Sequence, residues 1–314
     1  MVPAACRRDS RPHPAGRRRG LKIALARIGV IYHGLIPEAG ELARTLIERF
    51  GLDGEWWAMD AEAAEVDGSR FDGANLMITI GGDGTILRAM HIAAPRKIPV
   101  LGVNMGRVGF MSEVDADHAL DQLGWYLEGN ARVEERAMLQ VDSVVFRGAS
   151  QHALNDVTIG RGNTPRIVNI RTHINGVHLV SYRADAVVMS TATGSTGYSL
   201  ALGGPVIDPE IDCILLKPVA AHMSLQGGLL LPHETAIDIR FDGPETGVLS
   251  VDGFIDRPIR PGQTVTVRIS PHRARFLRRN PTTEFYASLT RRLGMRQESL
   301  PRRRRRRQPT RPGP

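Results

Sequence analysis

The sequence predicts an α/β amino-terminal half joined to an all-β carboxy-terminal half. Three observations predict it. Before about residue 130, short apolar runs without alternation stand between stretches of helical periodicity. After it, many short alternating runs are separated by Gly, Asn, Asp and Pro. A glycine-rich segment directly follows one of the early apolar runs, where a strand would hand over to a helix.

Arg27 to Tyr32 (RIGVIY) is the first predicted strand. Pro37 suits a first helical position and Gly51 suits a stop. Between them Ala39, Leu42, Ala43, Leu46, Ile47 and Phe50 fall on one helical face. Leu76 to Ile80 (LMITI) is apolar without alternation, as in a strand covered on both faces. A helix is expected from near Thr85, and a strand over Val100–Val103 after Pro99. Beyond residue 130, Leu139, Val141 and Val145 alternate with polar positions. The runs 166–174 and 177–185 flank Asn175-Gly176, a strong hairpin signal. Further strands are expected over 236–241, 247–251 and 264–269, punctuated by Asp252-Gly253 and Pro261-Gly262. A last helix, about Thr283 to Leu293, is expected to return to the first half.

With 314 residues, 42% hydrophobic and 24% charged, the chain fits a globular protein with room for two domains. No run of about 18 apolar residues suggests a membrane helix. The first 20 residues lack the apolar core of a secretory signal. Cys6 and Cys213 are too few for a disulfide framework or a zinc site, and fit a reducing cytoplasm. Residues 1–20 and 301–314 carry +5 and +7 of the net +8, so the 280 residues between them are net −4. Both Arg-rich ends are expected to be disordered and solvated. No aromatic residue interleaves Arg302–Arg307, so stacking on bases has no candidate there, and nucleic acid is not an expected partner except through the basic tails.

The sharpest feature is Gly81-Gly82-Asp83-Gly84-Thr85. Its glycines let a ligand approach the backbone, and bare N–H groups at a helix start bind phosphate. A carboxylate among them repels a phosphate unless it takes a proton or holds a metal. In isolation the segment could equally be a tight turn with a solvated Asp. The strand before it and the helix after it favour a phosphate loop of Gly81, Gly82, Gly84 and Thr85. Asn104-Met-Gly106-Arg-Val-Gly109-Phe110 follows the next strand. Asp185 then opens a long segment dense in hydroxyls and glycine, running through Thr191, Thr193-Gly194-Ser195-Thr196-Gly197-Tyr198-Ser199 to Gly203-Gly204-Pro205.

The loop resembles that of NAD kinases, diacylglycerol and sphingosine kinases and, more loosely, phosphofructokinases. The 104–110 segment resembles the NAD kinase N-x-G-x-x-G-F pattern, and residues 185–205 resemble that family's D-G-x-x-x-S-T-P-T-G-S-T-A-Y-S-x-S-A-G-G-P. Ala186, Ala192 and Gly197 depart from it. Asn155-Asp156 resembles the family's Asn-Glu pair. Val251-Asp252-Gly253 resembles its Val-Asp-Gly-Gln, with Phe254 in place of the Gln. Pro218 to Leu225, including His222, resembles its Pro-x-x-x-His-x-Leu region, followed by Gly227-Gly228 instead of the usual Arg-Pro.

The resemblance covers roughly residues 27 to 295. It implies a Rossmann-like α/β domain (21–120 with 277–300), a β-sandwich NAD-binding domain (121–276), and a cytoplasmic homodimer or homotetramer. The implied reaction moves the γ-phosphate of ATP, or a phosphate of polyphosphate, to the 2′-hydroxyl of NAD's adenosine ribose, giving NADP. A divalent cation such as Mg²⁺ is expected with ATP, with no residues assigned as its ligands. Asp83 is the implied base. NAD contacts are implied at Asp83, Gly84, Asn155, Asp156, Arg166, Arg183, Asp185, Thr193, Thr196, Gly197, Tyr198 and Ser199. Arg88, one helical turn beyond Gly84, is expected to meet phosphate or a nearby acid. A lipid kinase sharing the loop is the alternative, and the hydroxyl-rich 185–205 segment argues against it. A non-catalytic nucleotide sensor, or a nucleic-acid binder using the basic tails, is disfavoured by an Asp83 retained within an intact loop.

Overall fold

The computed structural model describes residues 27–106, 109–162, 166–221 and 227–292. Both Arg-rich tails, His222, and Arg107 of the 104–110 segment lie outside these residues.

The α/β half runs β1 (Arg27–Tyr32), α1 (Pro37–Phe50), β2 (Glu55–Asp60), α2 (Ala61–Val66), β3 (Leu76–Gly81), α3 (Asp83–Ala93), β4 (Val100–Asn104), β5 (Val114–Asp115) and α4 (Ala119–Leu127). The antiparallel half follows with β6 (Arg132–Ser143), β7 (Gln151–Ala153), β8 (Asp156–Arg161), β9 (Val168–Ile174), β10 (Val177–Ala184), β11 (Ala186–Ser190), α5 (Tyr198–Ala201) and β12 (Cys213–Val219). It ends with β13 (Leu229–Pro232), β14 (Ile237–Phe241), β15 (Gly247–Val251), β16 (Ile255–Ile259) and β17 (Thr264–Arg278). Helix α6 (Glu284–Arg292) belongs to a separate compact unit that starts at Asn280.

Strands β2, β1, β3 and β4 pair in parallel, and every residue of β3 and β4 is buried, as their unbroken apolar runs require. The predicted face of α1 is observed: Ala39, Ala43 and Leu46 are buried against the sheet, flanked by half-buried Leu42, Ile47 and Phe50. Asn175 and Gly176 both have positive φ, 49° and 80°, and close the β9–β10 hairpin.

A six-stranded antiparallel sheet, ordered β13-β12-β11-β8-β15-β16, covers the antiparallel part of the larger sheet. Val157, Val187, Met189 and Leu249 of the first face Leu139, Ile170, Ile239 and Val267 of the second in one core, which makes the sandwich.

Two sequence expectations are corrected, and one helix is added. Helix α3 begins at Asp83, two residues before Thr85, so Asp83 is inside its first turn. The strand expected over 264–269 runs on to Arg278, because a bulge between Ile269 and Arg273 lets pairing with β6 resume in a second register. Helix α4, with Leu123, Tyr126 and Leu127 buried, was not anticipated. The long β17 has a structural consequence. It pairs antiparallel with β14 and β6 and parallel with β4 through Phe276 and Val100, so the two halves share one eleven-stranded sheet.

At that seam lies a buried charge cluster. Glu134 accepts from Arg132 at 2.7 Å, Arg136 at 2.9 Å and Arg278 at 3.3 Å. Burial pushes its pKa up, but Arg278 and Arg136 outweigh burial and hold it at about 2. Arg278 also donates to the Met111 carbonyl at 2.9 Å, fixing the segment beyond Gly109. Glu134→Gln would take the carboxylate partner from buried Arg136 and leave Arg278 with Glu113 alone. It is expected to destabilise the fold by about 3–5 kcal/mol, read as a lower urea midpoint at unchanged slope.

Candidate functional site

Strand β3, flanked by β4 and β1, delivers the loop at its carboxyl end, and the glycines there have two different reasons. A Cβ on Gly81 would lie 2.3 Å from Thr85 Oγ1 and 3.2 Å from His33 Cβ, so this glycine is required by packing. Cβ atoms on Gly82 and Gly84 would meet nothing within 4 Å. The fold does not need glycine at those two places. They leave open backbone beside a cleft of about 620 Å³ lined by Tyr32, His33, Asp60, Gly82, Gly84, Thr85 and Arg88, among others. Thr85 Oγ1 is buried and has no hydrogen-bond partner among the described residues.

Asp83 is the first residue of α3, where the helix dipole favours its negative charge. Its carboxylate accepts hydrogen bonds from Phe110 N at 2.9 Å and Met111 N at 3.3 Å. A Cβ on Gly109 would sit 2.0 Å from Asp83 Oδ1, so the segment approaches Asp83 only because residue 109 is glycine. Asn104, buried at the end of β4, turns the chain by donating to the Gly106 carbonyl at 2.6 Å. The structure therefore joins the 81–85 and 104–110 motifs at one carboxylate.

The second group forms around Asp252, whose side chain has no exposed surface. One oxygen accepts from Asn155 N at 2.7 Å and Asp156 N at 3.1 Å. The other accepts from Leu154 N at 2.8 Å and faces His91 Nε2 of α3 at 2.9 Å. Asp252 itself is held at φ 51°, in the left-handed region that a short polar side chain tolerates. The Asn155 carbonyl accepts from Thr191 N at 2.9 Å, and a Cβ on Gly194 would lie 2.0 Å from that oxygen. The hydroxyl-rich loop thus packs directly on the Asn155 backbone. Within it, Thr191 Oγ1 donates to the Leu154 carbonyl at 2.6 Å, Ser195 Oγ to Ala192, and Thr196 Oγ1 to Thr193. Thr193 Oγ1 and Ser199 Oγ are buried without a partner among the described residues. Tyr198 is 44% exposed and free to meet a ligand.

Three of the four remaining candidates have ion-pair partners. Arg88 lines the cleft, pairs with Glu65, and stands 4.7 Å over the Phe254 ring. Arg166 pairs with Glu245 at 3.0 Å, and Asp185 with Arg161 at 3.0 Å. Arg183 lies on the exposed side of β10. None of Arg166, Arg183 and Asp185 lines the cleft beside Asp83. Phe254, which stands where a Gln was expected, packs against Arg88 and edge-to-face on His91 at 4.8 Å, so it fastens the β15–β16 turn to α3.

The sequence marks Asp252-Gly253 as a turn and as part of a family-like Val-Asp-Gly segment, but gives Asp252 no partner and does not single out His91. The two are 161 positions apart, and only the folded chain shows them paired. A divalent cation has no dedicated protein cage here: no three of His, Cys, Asp and Glu converge to hold one among the described residues. Asp83 beside an open phosphate loop fits the sparse carboxylate donation that Mg²⁺ uses when substrate phosphates and water fill its other positions.

Two family models match the chain: the ATP-NAD kinase N-terminal domain over residues 38–131 and the ATP-NAD kinase C-terminal domain over residues 154–279. The NAD kinase of Dehalococcoides mccartyi (strain CBDB1) is 36% identical over 278 residues, spanning 87% of this chain and 98% of that one. The NAD kinase of Chloroflexus aurantiacus (strain ATCC 29366 / DSM 635 / J-10-fl) is 36% identical, spanning 86% and 99%. The crystal structure of yeast NADH kinase complexed with NADH superposes with a TM-score of 0.74 at 24% identity, covering 88% of this chain and 90% of that one. An NAD kinase from Archaeoglobus fulgidus in complex with ATP gives 0.69 at 22%, covering 86% and 100%. At these identities the two structures show a shared fold.

Asp156 heads β8 beside Asp252. Burial first, and then the Asp252 charge, raise its carboxyl to about 7, against a weak pull from Thr158. Raised in the folded state, this pKa stabilises the fold most below about pH 4, and the contribution is lost as pH climbs to 7. Asp156→Asn is expected to gain on the wild type by about 4 kcal/mol between those limits. Denaturant unfolding of both proteins across pH 4–8 checks it; parallel curves would refute the buried carboxyl.

Proposed function

The chain belongs to the NAD kinase family, and from that premise we propose that Asp83 accepts the ribose 2′-hydroxyl proton as a phosphate moves from ATP to NAD. The chain is a kinase, a phosphotransferase acting on NAD to give NADP. The lipid-kinase alternative has no support, since both matching models are NAD kinase domains.

The observation that carries the assignment is a carboxylate fixed between two glycines that the fold does not require. Backbone N–H groups of Phe110 and Met111 orient Asp83, while Gly82 and Gly84 keep the adjoining cleft open to phosphates. In the transfer, the bond between the γ-phosphorus and the β,γ-bridging oxygen breaks and the O2′–phosphorus bond forms. The hydroxyl proton passes to Asp83. A carboxylate is a weak base, so it acts as the new bond acidifies that proton. Bound Mg²⁺ would offset charge on the transferring phosphate, with Asp83 its candidate protein ligand. ATP is the proposed donor, with polyphosphate the other phosphate source the loop would admit.

Asn155 and Asp156 are proposed to bind the ribose and adenine edge of NAD, since an amide and a half-protonated carboxyl can both donate and accept. The unpartnered hydroxyls of Thr193 and Ser199, with Thr196, Gly197 and Tyr198, support their assignment to the same ligand. Arg166, Arg183 and Asp185 are proposed to reach it from the sandwich half, and Arg88 to exchange Glu65 for phosphate. We assign residues 21–120 with 277–300 to the α/β domain and 121–276 to the sandwich, the second boundary falling inside β17. A homodimer or homotetramer is proposed: β10 pairs only with β9 among the described residues and leaves Val177 and Leu179 exposed, an edge that another copy would cover. No helix among the described residues is long and apolar enough to cross a membrane. Cytoplasmic residence is proposed from the low cysteine content.

Asp83→Asn is expected to lower kcat for NADP formation by at least about a hundredfold while NAD still binds; near-normal kcat would end the assignment. Gly84→Ala separates fold from function. Its stability should be unchanged or raised by up to about 1 kcal/mol, with turnover falling on the order of a hundredfold. A coupled assay beside a thermal melt reads both.

A further inference from the structure

A second cleft, of about 540 Å³, lies on the other side of the Arg88–Glu65 pair: Arg88 lines the Asp83 cleft and Glu65 lines this one. Its walls bring together three imidazoles, His91 of α3, His152 of β7 and His272 of β17, with the guanidiniums of Arg96 and Arg257. Glu65 is its one carboxylate, already neutralised by Arg88. Arg96 pairs with Asp72, but Arg257 has no carboxylate partner among the described residues and donates to the Asp256 carbonyl at 2.8 Å.

The His152 and His272 rings meet edge-to-face with centroids 4.6 Å apart, and His152 Nδ1 lies 2.9 Å from Ser270 Oγ. Burial, and then His272 and His91, hold His152 down at about 4. At neutral pH His152 is therefore an uncharged hydrogen-bonding group, His91 is paired with Asp252 and Arg96 with Asp72, so Arg257 is the cation an anion in this cleft would pair with. A cation does not fit, since no three ligating groups converge on one point among the described residues. Ile92, Pro95, Phe254 and Ile255 add an apolar wall, and the volume falls in the range of roughly 300–1,000 Å³ of small-molecule sites.

We propose that this cleft is a second binding site, separate from the reaction site, for a phosphate-bearing anion of nucleotide size. Its occupant touches the wall that carries His91, and His91 holds Asp252, so binding there bears on the loop that presents Asn155 and Asp156. The phosphate could belong to a nucleotide or to inorganic polyphosphate. A nucleotide would use the apolar wall for its base; polyphosphate would use the cations alone.

The test follows the imidazole Cε1–H resonances of His152 and His272, identified through His152→Gln and His272→Gln, at neutral pH. The full-length protein is titrated separately with ADP and with inorganic tripolyphosphate. Both resonances are expected to shift saturably with at least one ligand. In Arg257→Glu the midpoint should move at least about tenfold higher, while turnover stays within about twofold of wild type. Shifts with ADP alone identify a nucleotide site, and equal shifts with tripolyphosphate a polyphosphate site. Resonances that stay still with both ligands, or that titrate identically in Arg257→Glu, overturn the proposal. The readout is local to this cleft, so it stands or falls independently of the base assigned at Asp83.

Discussion

The Asp252 carboxylate has no exposed surface, yet it accepts hydrogen bonds from three successive backbone N–H groups and faces His91 of α3. A buried carboxylate without partners costs several kcal/mol, so its surroundings must supply donors. That requirement shapes the chain from Leu154 to Asp156, whose amides converge on one point instead of continuing a strand ladder. It also fixes where α3 meets the sandwich, because His91 is part of the same arrangement. The hydroxyl-rich loop in turn rests on the Asn155 carbonyl through Thr191 and Gly194. Substrate-contact candidates from three separate stretches of sequence are therefore positioned by the need to satisfy one charge.

Helix α3 is the common member of every part of the site. Asp83 begins it, Arg88 lines the cleft one turn later, and His91 reaches Asp252 nearer its end. Phe254 packs on both Arg88 and His91, so the residue that departs from the family pattern has a mechanical role here. On the other flank, Arg278 ties the Glu134 cluster to the Met111 carbonyl, and the Met111 amide donates to Asp83. The Asp83 carboxylate is thus held between a rigid helix start and a seam where both halves share one sheet. Such support from packed elements is what lets a phosphate-transfer site keep its geometry.

Much of the fold was legible because period and punctuation are local. Unbroken apolar runs marked β3 and β4, a one-sided face marked α1, and Asn175-Gly176 marked a hairpin. The misses have physical causes. The Ile269–Arg273 bulge interrupts alternation, which hid the second half of β17 and with it the continuous sheet. From sequence, glycine and aspartate read as loop and set the start of α3 near Thr85, two residues late, although Asp83 is stable in a first helical turn.

In the candidate site, Asp83, its glycines, Asn155-Asp156 and the 191–199 loop are all nameable as candidates from sequence, since each is a contiguous motif whose residue types carry their chemistry. Their assembly is not. Whether a glycine is demanded by packing, as at Gly81 and Gly109, or leaves open space, as at Gly82 and Gly84, depends on atoms brought from elsewhere in the chain. The same holds for the partners of Arg166 and Asp185, and for the pairing of His91 with Asp252 across 161 positions. The sequence by itself determined which groups are available and in which local conformations. Only the tertiary structure decided which of them meet, because desolvation and hydrogen-bond satisfaction are properties of the packed interior.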